Sequence, residues 1–479
     1  MTSHHVRVLT CAAALSLLVG CVGLRPAAVP TERVGAVRAI GRTSPGGALA
    51  RREVAPLPEA PTLEDYLQYA RENNPGLQAA RSRWEAARER VPQVTSLPDP
   101  RFTYRYFIES VETRVGPQRQ GLGLAQMFPW FGKLSLRGKM AVEAANAVWR
   151  RYEAEELKLR YRVRHAYYEY YYLARAVVVV ERTRNLMRYL EEVARTRYKA
   201  AAAEHSDVIR AQVELGKLED RLRSLKDLRG PVAARLNAAL NRPVNAPLPW
   251  PEEIREDEVD AADEQLLDWL QETSPELAAL EHEIGRESHG IALARKDFYP
   301  DVTLGLDYIA TGSARMPGVS DSGKDPIVAM VSVNLPIWRD RYRAGEREAR
   351  ARHRAAQRVR AERENALGSE LKMVLYGFRD AERKIDLYRD TLVPKAHQSL
   401  RATETAFRAG TAGFLDLVDA ERILLEFELS YERALADRAQ RLAELDMLVG
   451  REIPRRAAPH GETQQTPAVK RVEEVLPDE

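Results

Sequence analysis

Asp416 and Asp419 stand three residues apart behind the small-residue stretch Ala409-Gly410-Thr411-Ala412-Gly413. Asp207 stands 209 positions before Asp416, behind Ala200 and Ala201. Acidic residues so placed are favoured at a helix N-terminus, where unpaired amides and the dipole attract negative charge. Ser206-Asp207 likewise reads as an N-cap. Few other side chains have a spacing suited to chemistry. His282 and His289 lie seven apart on one helix face, too far for a shared metal, and are read as solvated surface. Methionines 127, 140, 187, 316, 330 and 373 are scattered, without the paired spacing of soft-metal capture. The aromatic cluster RHAYYEYYYLARA (164–176) sits mid-helix and is read as packing between helices. The sequence carries no Walker loop, nucleophile elbow or zinc motif. It offers no catalytic constellation and no cofactor site, and the chain is read as a non-enzyme.

The ends of the chain bear on its compartment. Residues 1–21 read MTSHHVRVLTCAAALSLLVGC. Arg7 precedes an apolar run from Val8 to Val19, too short for a membrane helix and suited to a secretory signal peptide over 1–20. Leu18-Val19-Gly20-Cys21 resembles the lipobox of bacterial lipoproteins, which implies that Cys21 becomes the lipidated first residue of the mature chain. Val22, rather than an aspartate, follows it, and the same resemblance then implies the outer membrane. Cleavage there removes Cys11 and leaves one thiol, so no intrachain disulfide forms. Residues 21–60, rich in Pro, Ala, Gly and Arg, read as a flexible tether behind the lipid; 454–479 read as a disordered polar tail.

The chain is 30% charged with a net charge of only +3, so its charges are interspersed rather than pooled. That excludes the basic field of a nucleic-acid surface. No apolar run after residue 21 approaches the roughly 20 residues of a membrane helix. A membrane crossing would have to use strands.

The folded part is a tandem repeat. Leu67, Pro75, Leu77 and Pro100 recur 200 positions later as Leu267, Pro275, Leu277 and Pro300. Pro129 and Gly138 recur 207 positions later as Pro336 and Gly345, so one inter-strand loop is longer by seven in the second copy. The copies span 62–250 and 262–453, each ordered as helix, strand pair, long helix, tight turn and helix. The strand pairs fall at about 101–128 and 301–335, where apolar residues alternate along RFTYRYFIE, LGLAQMF, DVTLGLDYI and IVAMVSVNL, with Gln126 out of phase. At about nine residues each, they match tilted membrane strands. Proline is absent from Gly132 to Arg197 and from Trp338 to Val393. Behind each turn, Val208, Ala211, Leu215, Leu218, Leu222 and Leu225, and likewise Leu417, Ala420, Leu424, Phe427, Tyr431 and Ala434, alternate three and four apart, the spacing of paired helices. Gly230-Pro231 predicts a kink in the first.

The expected fold is therefore mainly α with a small β part: long coiled-coil hairpins forming a helical barrel, with four membrane strands. Four strands cannot close a membrane barrel, since the smallest have about eight, and open edges are not tolerated in lipid. The chain must oligomerise.

Over nearly all of 62–453 the sequence resembles the TolC-like outer-membrane factors of tripartite efflux pumps. The resemblance rests on the lipobox, the duplicated plan and the turn motif carried by Phe407, Gly410, Asp416, Leu417 and Ala420. VETRVGPQRQGLGLAQMFPWFGKL further resembles the branch serving heavy-metal exporters. The resemblance implies a homotrimer with a twelve-stranded barrel in outer-membrane lipid and a periplasmic tube of twelve helices. It also implies two partners: a periplasmic adaptor, docking at the turns around Ala200, Ala201, Ala409, Gly410 and Thr411, and an inner-membrane pump, expected to be of the resistance-nodulation-division type. Carried onto Asp416 and Asp419, the family's acidic rings would set six carboxylates, three copies of each, around a narrow pore that attracts cations; Asp207 is a further link to that gate. Phe407 lacks the hydroxyl of the family's usual tyrosine, and Ala412 stands where some members have an arginine, so a closed-state latch built on those groups is not expected here. Ala201 stands where the second turn has Gly410, which predicts two turns that end their helices differently. A periplasmic coiled-coil adaptor, a lipid-anchored periplasmic enzyme and the outlet of a type I secretion system are the alternative readings, and the cargo is open.

Overall fold

The computed structural model describes residues 57–457 except 202, 203, 252, 253, 255, 256 and 260. The expected signal peptide, Cys21, the tether up to residue 56 and the chain beyond 457 lie outside the described residues.

Each copy opens with two helices where the sequence predicts one. Helix α1 (Leu63–Asn73) begins in a capping box: the Thr62 hydroxyl accepts from the Asp65 amide, and the Asp65 carboxylate accepts from the Thr62 amide at 2.8 Å. It ends because Asn74 precedes Pro75 and is held extended, at ψ 120°. The Asn74 side chain then caps α2 (Pro75–Thr95), accepting from the Leu77 amide at 3.1 Å.

Strands β1 (Arg101–Thr113) and β2 (Gly116–Phe128) follow, then α3 (Lys133–Lys199) and α4 (His205–Ala239). Helix α3 has 67 residues, roughly 100 Å at 1.5 Å per residue. Tyr167, Tyr170 and Tyr171 of the aromatic cluster are buried on it, as the mid-helix position predicts. Helix α4 runs unbroken through Gly230-Pro231.

The second copy has the linker strand β3 (Asp257–Val259), then α5 (Asp263–Thr273) and α6 (Pro275–Lys296), broken at Ser274-Pro275 as the first is at Asn74-Pro75. Strands β4 (Val302–Thr311) and β5 (Ile327–Val333) precede α7 (Arg339–Leu387), α8 (Val393–Ala409) and α9 (Phe414–Val449). Between α7 and α8 lies a π-helical turn, Tyr388–Leu392. Pro394 has no amide to donate and its ring crowds the preceding turn, so the helix widens there instead of stopping. Beyond Pro454, where the sequence predicts a disordered tail, Arg455–Ala457 forms a short strand, β6, paired antiparallel with β3.

His282 departs from its reading as solvated surface: it is half-buried on α6, and its Nδ1 lies 2.8 Å from Glu143 Oε2 on α3. Among the described residues three large apolar clusters hold the helices, with a small fourth around Ile385, Ala434 and Leu435. One, around Tyr66, Leu77, Tyr170 and Leu236, belongs to the first copy. Another, around Leu266, Leu277, Phe378 and Leu445, belongs to the second. The third, around Val180, Met187, Phe407 and Leu417, joins the two hairpins near their turns.

Strands β1, β2, β4 and β5 form one antiparallel sheet in that order, with β2 pairing β4 across the copies. Register places the alternating apolar residues in rows: Phe102, Leu124, Leu306 and Ala329 in one, Tyr104, Leu122, Tyr308 and Ile327 in the next. That face is open, with Ile108 93% and Phe102 67% exposed. Gln126 falls on it, but its side chain donates to the Pro98 carbonyl at 2.7 Å. On the opposite face Arg105 of β1 reaches over β2 to form an ion pair with Asp307 of β4. It can do so because β2 presents glycine: a Cβ on Gly123 would stand 2.5 Å from Asp307 Oδ1. One apolar face backed by a face that carries an ion pair suits a membrane barrel wall, whose lumen side is polar.

Gly123→Val should lower unfolding stability by about 1–3 kcal/mol, the cost of overpacking, in denaturant titrations of the detergent-solubilised chain followed by circular dichroism. The same change at Gly121, where the nearest side-chain atom is 3.7 Å away, should cost less.

Candidate functional site

The sequence-predicted site residues gather at the two helical turns. Helix α8 ends in a glycine-terminated motif. The Thr411 amide donates to the Ala406 carbonyl at 2.9 Å and the Gly410 amide to the Phe407 carbonyl at 3.1 Å, with Gly410 left-handed at φ 79°. The first turn was expected to differ for want of glycine. At this one position it does not: Ala201, equivalent to Gly410, is also left-handed at φ 57°, and its amide donates to the Tyr198 carbonyl as that of Gly410 does to Phe407. Both hairpins need the same reversal, and the first makes it with an alanine that resists it.

The turns are tied across the copies by Arg197. Its Nη1 donates to the Phe407 carbonyl at 2.5 Å, and its guanidinium lies 4.5 Å from the centre of the Phe407 ring. Phe407 is buried and meets Phe414 edge-on at 5.8 Å. A phenylalanine here therefore still takes part in a link between turns, through its ring face and main chain rather than a hydroxyl.

Asp416 sits in the first turn of α9, exposed, and accepts from the Gly413 amide at 3.0 Å. This is the capping geometry that favours an acidic residue at a helix start. Asp419, one turn on, meets Arg422 at 3.2 Å. Arg422 also bonds Glu214 of α4, with Nε 3.2 Å from Oε2, so it spans the two copies. Although partial burial works against its charge, Arg422 and Lys217 hold the Glu214 carboxyl below its ordinary range. Asp207 lies in the first turn of α4, 4.0 Å from Arg210. The expected Ser206-Asp207 cap is displaced: the N-cap residue is Glu204, without a side-chain capping bond.

The structure thus brings Asp419 together with Arg422 and Glu214, while Asp416 caps its own helix. Arg197, Glu214 and Arg422 were not singled out in the sequence. Arg422 is three residues beyond Asp419 on one helix face, a visible signal, but its partner Glu214 is 208 positions away. Among the described residues no group of three or more His, Cys, Asp or Glu side chains could hold a metal ion. Among them, too, no helix is long and apolar enough to cross a membrane.

This duplicated architecture is matched by the family model for outer membrane efflux proteins over 66–242 and 266–451. The chain belongs to the outer membrane efflux protein family. It is similar to the cobalt-zinc-cadmium resistance protein CzcC of Cupriavidus metallidurans, 27% identical over 187 residues, which are 39% of this chain and 43% of that one. The match therefore spans less than half the length of that relative. The fold is similar to that of CusC, with a TM-score of 0.71, 15% identity, and 81% of this chain and 92% of that chain covered. It is also similar to that of the Neisseria gonorrhoeae MtrE outer membrane channel in its open state, with a TM-score of 0.67, 21% identity, and 83% and 91% covered. As an efflux protein of the outer membrane, the chain carries the strands as its membrane part and the long helices as a periplasmic extension.

Ala201→Gly should raise unfolding stability by about 0.5–1 kcal/mol, and Gly410→Ala should lower it by about 1 kcal/mol, in chemical denaturation of the purified full chain.

Proposed function

We propose that the protein is the outer-membrane duct of a tripartite heavy-metal efflux system, assembled as a homotrimer and lipid-anchored at Cys21. The observation that carries this reading is the four-stranded sheet: apolar on one face, with the Arg105–Asp307 ion pair on the other, and bounded by β1 and β5 as its outer strands. Closing such a sheet in lipid requires further copies, and three copies of four strands make twelve, within the range of membrane barrels. The long hairpins of three chains then continue the barrel as a periplasmic tube. Its turns, around Ala200, Ala201, Ala409, Gly410 and Thr411, are the docking points for a periplasmic adaptor that connects to an inner-membrane pump of the resistance-nodulation-division type.

In this reading Asp416 and Asp419 form the acidic narrowing and Asp207 lies close by. Both α9 carboxylates are exposed in the single chain, as lining groups must be. Arg422, bound to Glu214 and Asp419, takes the place of the missing latch groups as the tie between hairpins. The similarity to the cobalt-zinc-cadmium resistance protein supports divalent transition-metal cations as cargo. An acidic narrowing suits cations.

Planar-bilayer recording of the detergent-purified mature protein tests this. The unmodified trimer should give small, cation-selective steps. Asp416→Ala/Asp419→Ala should reduce cation selectivity, and Arg422→Ala, which releases the hairpin tie, should enlarge the steps. Unchanged steps in all variants would move the gate elsewhere, and a monomeric mass in native mass spectrometry would sink the barrel.

A further inference from the structure

Glu421 lies on α9 two residues beyond Asp419, and it points the other way. It is 2% exposed, packed where α9 meets α3, among the buried Val180, Met187, Leu417, Val418, Leu424 and Leu425. One of its oxygens, Oε2, is fully buried with no hydrogen-bond partner. The Thr183 hydroxyl of α3 lies beside Glu421 and favours its charged form.

The charged groups around it are few. From its own helix, Glu428 faces the same seam, two turns away and also buried. From α3 comes Arg182, but its guanidinium is bonded to Glu428. From α8 comes His397, whose Nε2 lies 3.2 Å from the other oxygen of Glu428. From α4, Glu214 is committed to Arg422. Glu428 thus has Arg182 and His397 as partners, and Glu421 has a hydroxyl. A carboxylate stripped of water without a cation prefers to be neutral. Burial pushes the Glu421 carboxyl up to about 7, with Glu428 adding to it, while the Thr183 bond and Arg182 pull the other way.

The duplication supplies an internal comparison. The equivalent position in the first copy, 209 residues earlier, is Gln212, which has the same shape and no charge to gain. Its amide donates to Glu191 at 3.2 Å. The fold therefore uses a neutral side chain at this place in one hairpin and a titratable one in the other.

We propose that Glu421 is a proton-binding site that sets how tightly α9 packs on α3: the seam is closed when Glu421 is neutral and loosens when it ionises. Loosening begins within two turns of Asp416 and Asp419, so it changes the positions of those carboxylates. That consequence rests on the duct reading, whereas the seam switch itself does not.

The sign follows from a value raised above 4.5 to about 7 in the packed state. The stabilisation is complete below about 4.5, is lost as pH rises through about 7, and changes little beyond. Hydrogen-exchange protection factors of the buried amides in 417–425, measured on the detergent-purified full chain, read the seam directly. They should fall about 30-fold between about pH 5.5 and about pH 8 in the unmodified protein. They should stay level in Glu421→Gln, at the low-pH value. His397→Gln should retain the fall, which separates the histidine from the carboxylate. A level profile in the unmodified protein, or the same fall in Glu421→Gln, would overturn the proposal. If protection titrates but no variant conducts, the seam switch stands and the duct reading fails.

Discussion

Paired charge along α3 and α9 fixes how the two copies sit on each other, and the rest of the structure follows from that register. Arg164 meets Asp446 at 2.6 Å, Glu169 meets Arg433 at 2.9 Å, and Arg175 meets Glu432 at 2.8 Å. Arg182 meets Glu428 further along. The numbers rise on one helix as they fall on the other, so the ladder is antiparallel. Several of these groups, among them Arg164, Asp446, Glu428 and Glu432, are buried. A slip of one turn, 5.4 Å, would strand them without partners, and breaking a buried pair costs about 3–5 kcal/mol. Apolar packing alone tolerates such slips; buried charge does not.

The same register reaches the membrane end. Lys133, the first residue of α3, is buried and bonds Asp301 at 2.9 Å, immediately before β4. Asp301 also accepts from the Trp130 amide at 2.8 Å, just behind β2. This clamp holds the two strand pairs side by side where their helices begin, and β2 and β4 then pair along ten positions. What the chain cannot satisfy is the outer edge of β1 or of β5. In hydrocarbon each unpaired backbone group costs several kcal/mol, so the sheet is stable in a bilayer only as part of a closed ring.

Repetition and periodicity made most of this fold legible. Pro75 and Pro275, or Ala211 and Ala420, announce two copies, and alternating residues such as Phe102, Tyr104 and Tyr106 announce strands. These signals are local, and local chemistry enforces them. What escaped was either stereochemical or distant. Pro75 and Pro275 split the leading helices because the residue before proline avoids helical angles, a rule visible in the sequence but outweighed by the helical period around it. Ala201 gives no sign of its left-handed backbone, which the hairpin imposes. Arg455–Ala457 becomes a strand only because β3, some 200 residues earlier, offers an edge. At the turns, Asp416 was legible from the turn motif as a residue of the helix start. Arg197 and Glu214 were not, since each meets its partner across the copies.

Duplication sets the two hairpins equal in plan, and the differences between them lie in how firmly each is held. In the first copy one uninterrupted 67-residue helix runs from the sheet to the turn. In the second the same path is broken by the π-helical turn before Pro394, where the regular hydrogen-bond ladder is lost. Its turn carries Gly410 where the first has Ala201, and glycine leaves more backbone freedom. Its seam carries Glu421 where the first has Gln212. The π-helical turn and Gly410 lower the cost of moving the second hairpin against the first, and neither belongs to the ladder from Arg164 to Arg182. A long rigid helix beside a jointed one, with the register fixed at the sheet end and adjustable at the turn, concentrates motion at the turn. That is where the exposed carboxylates of α9 sit, so small changes in packing there move those carboxylates.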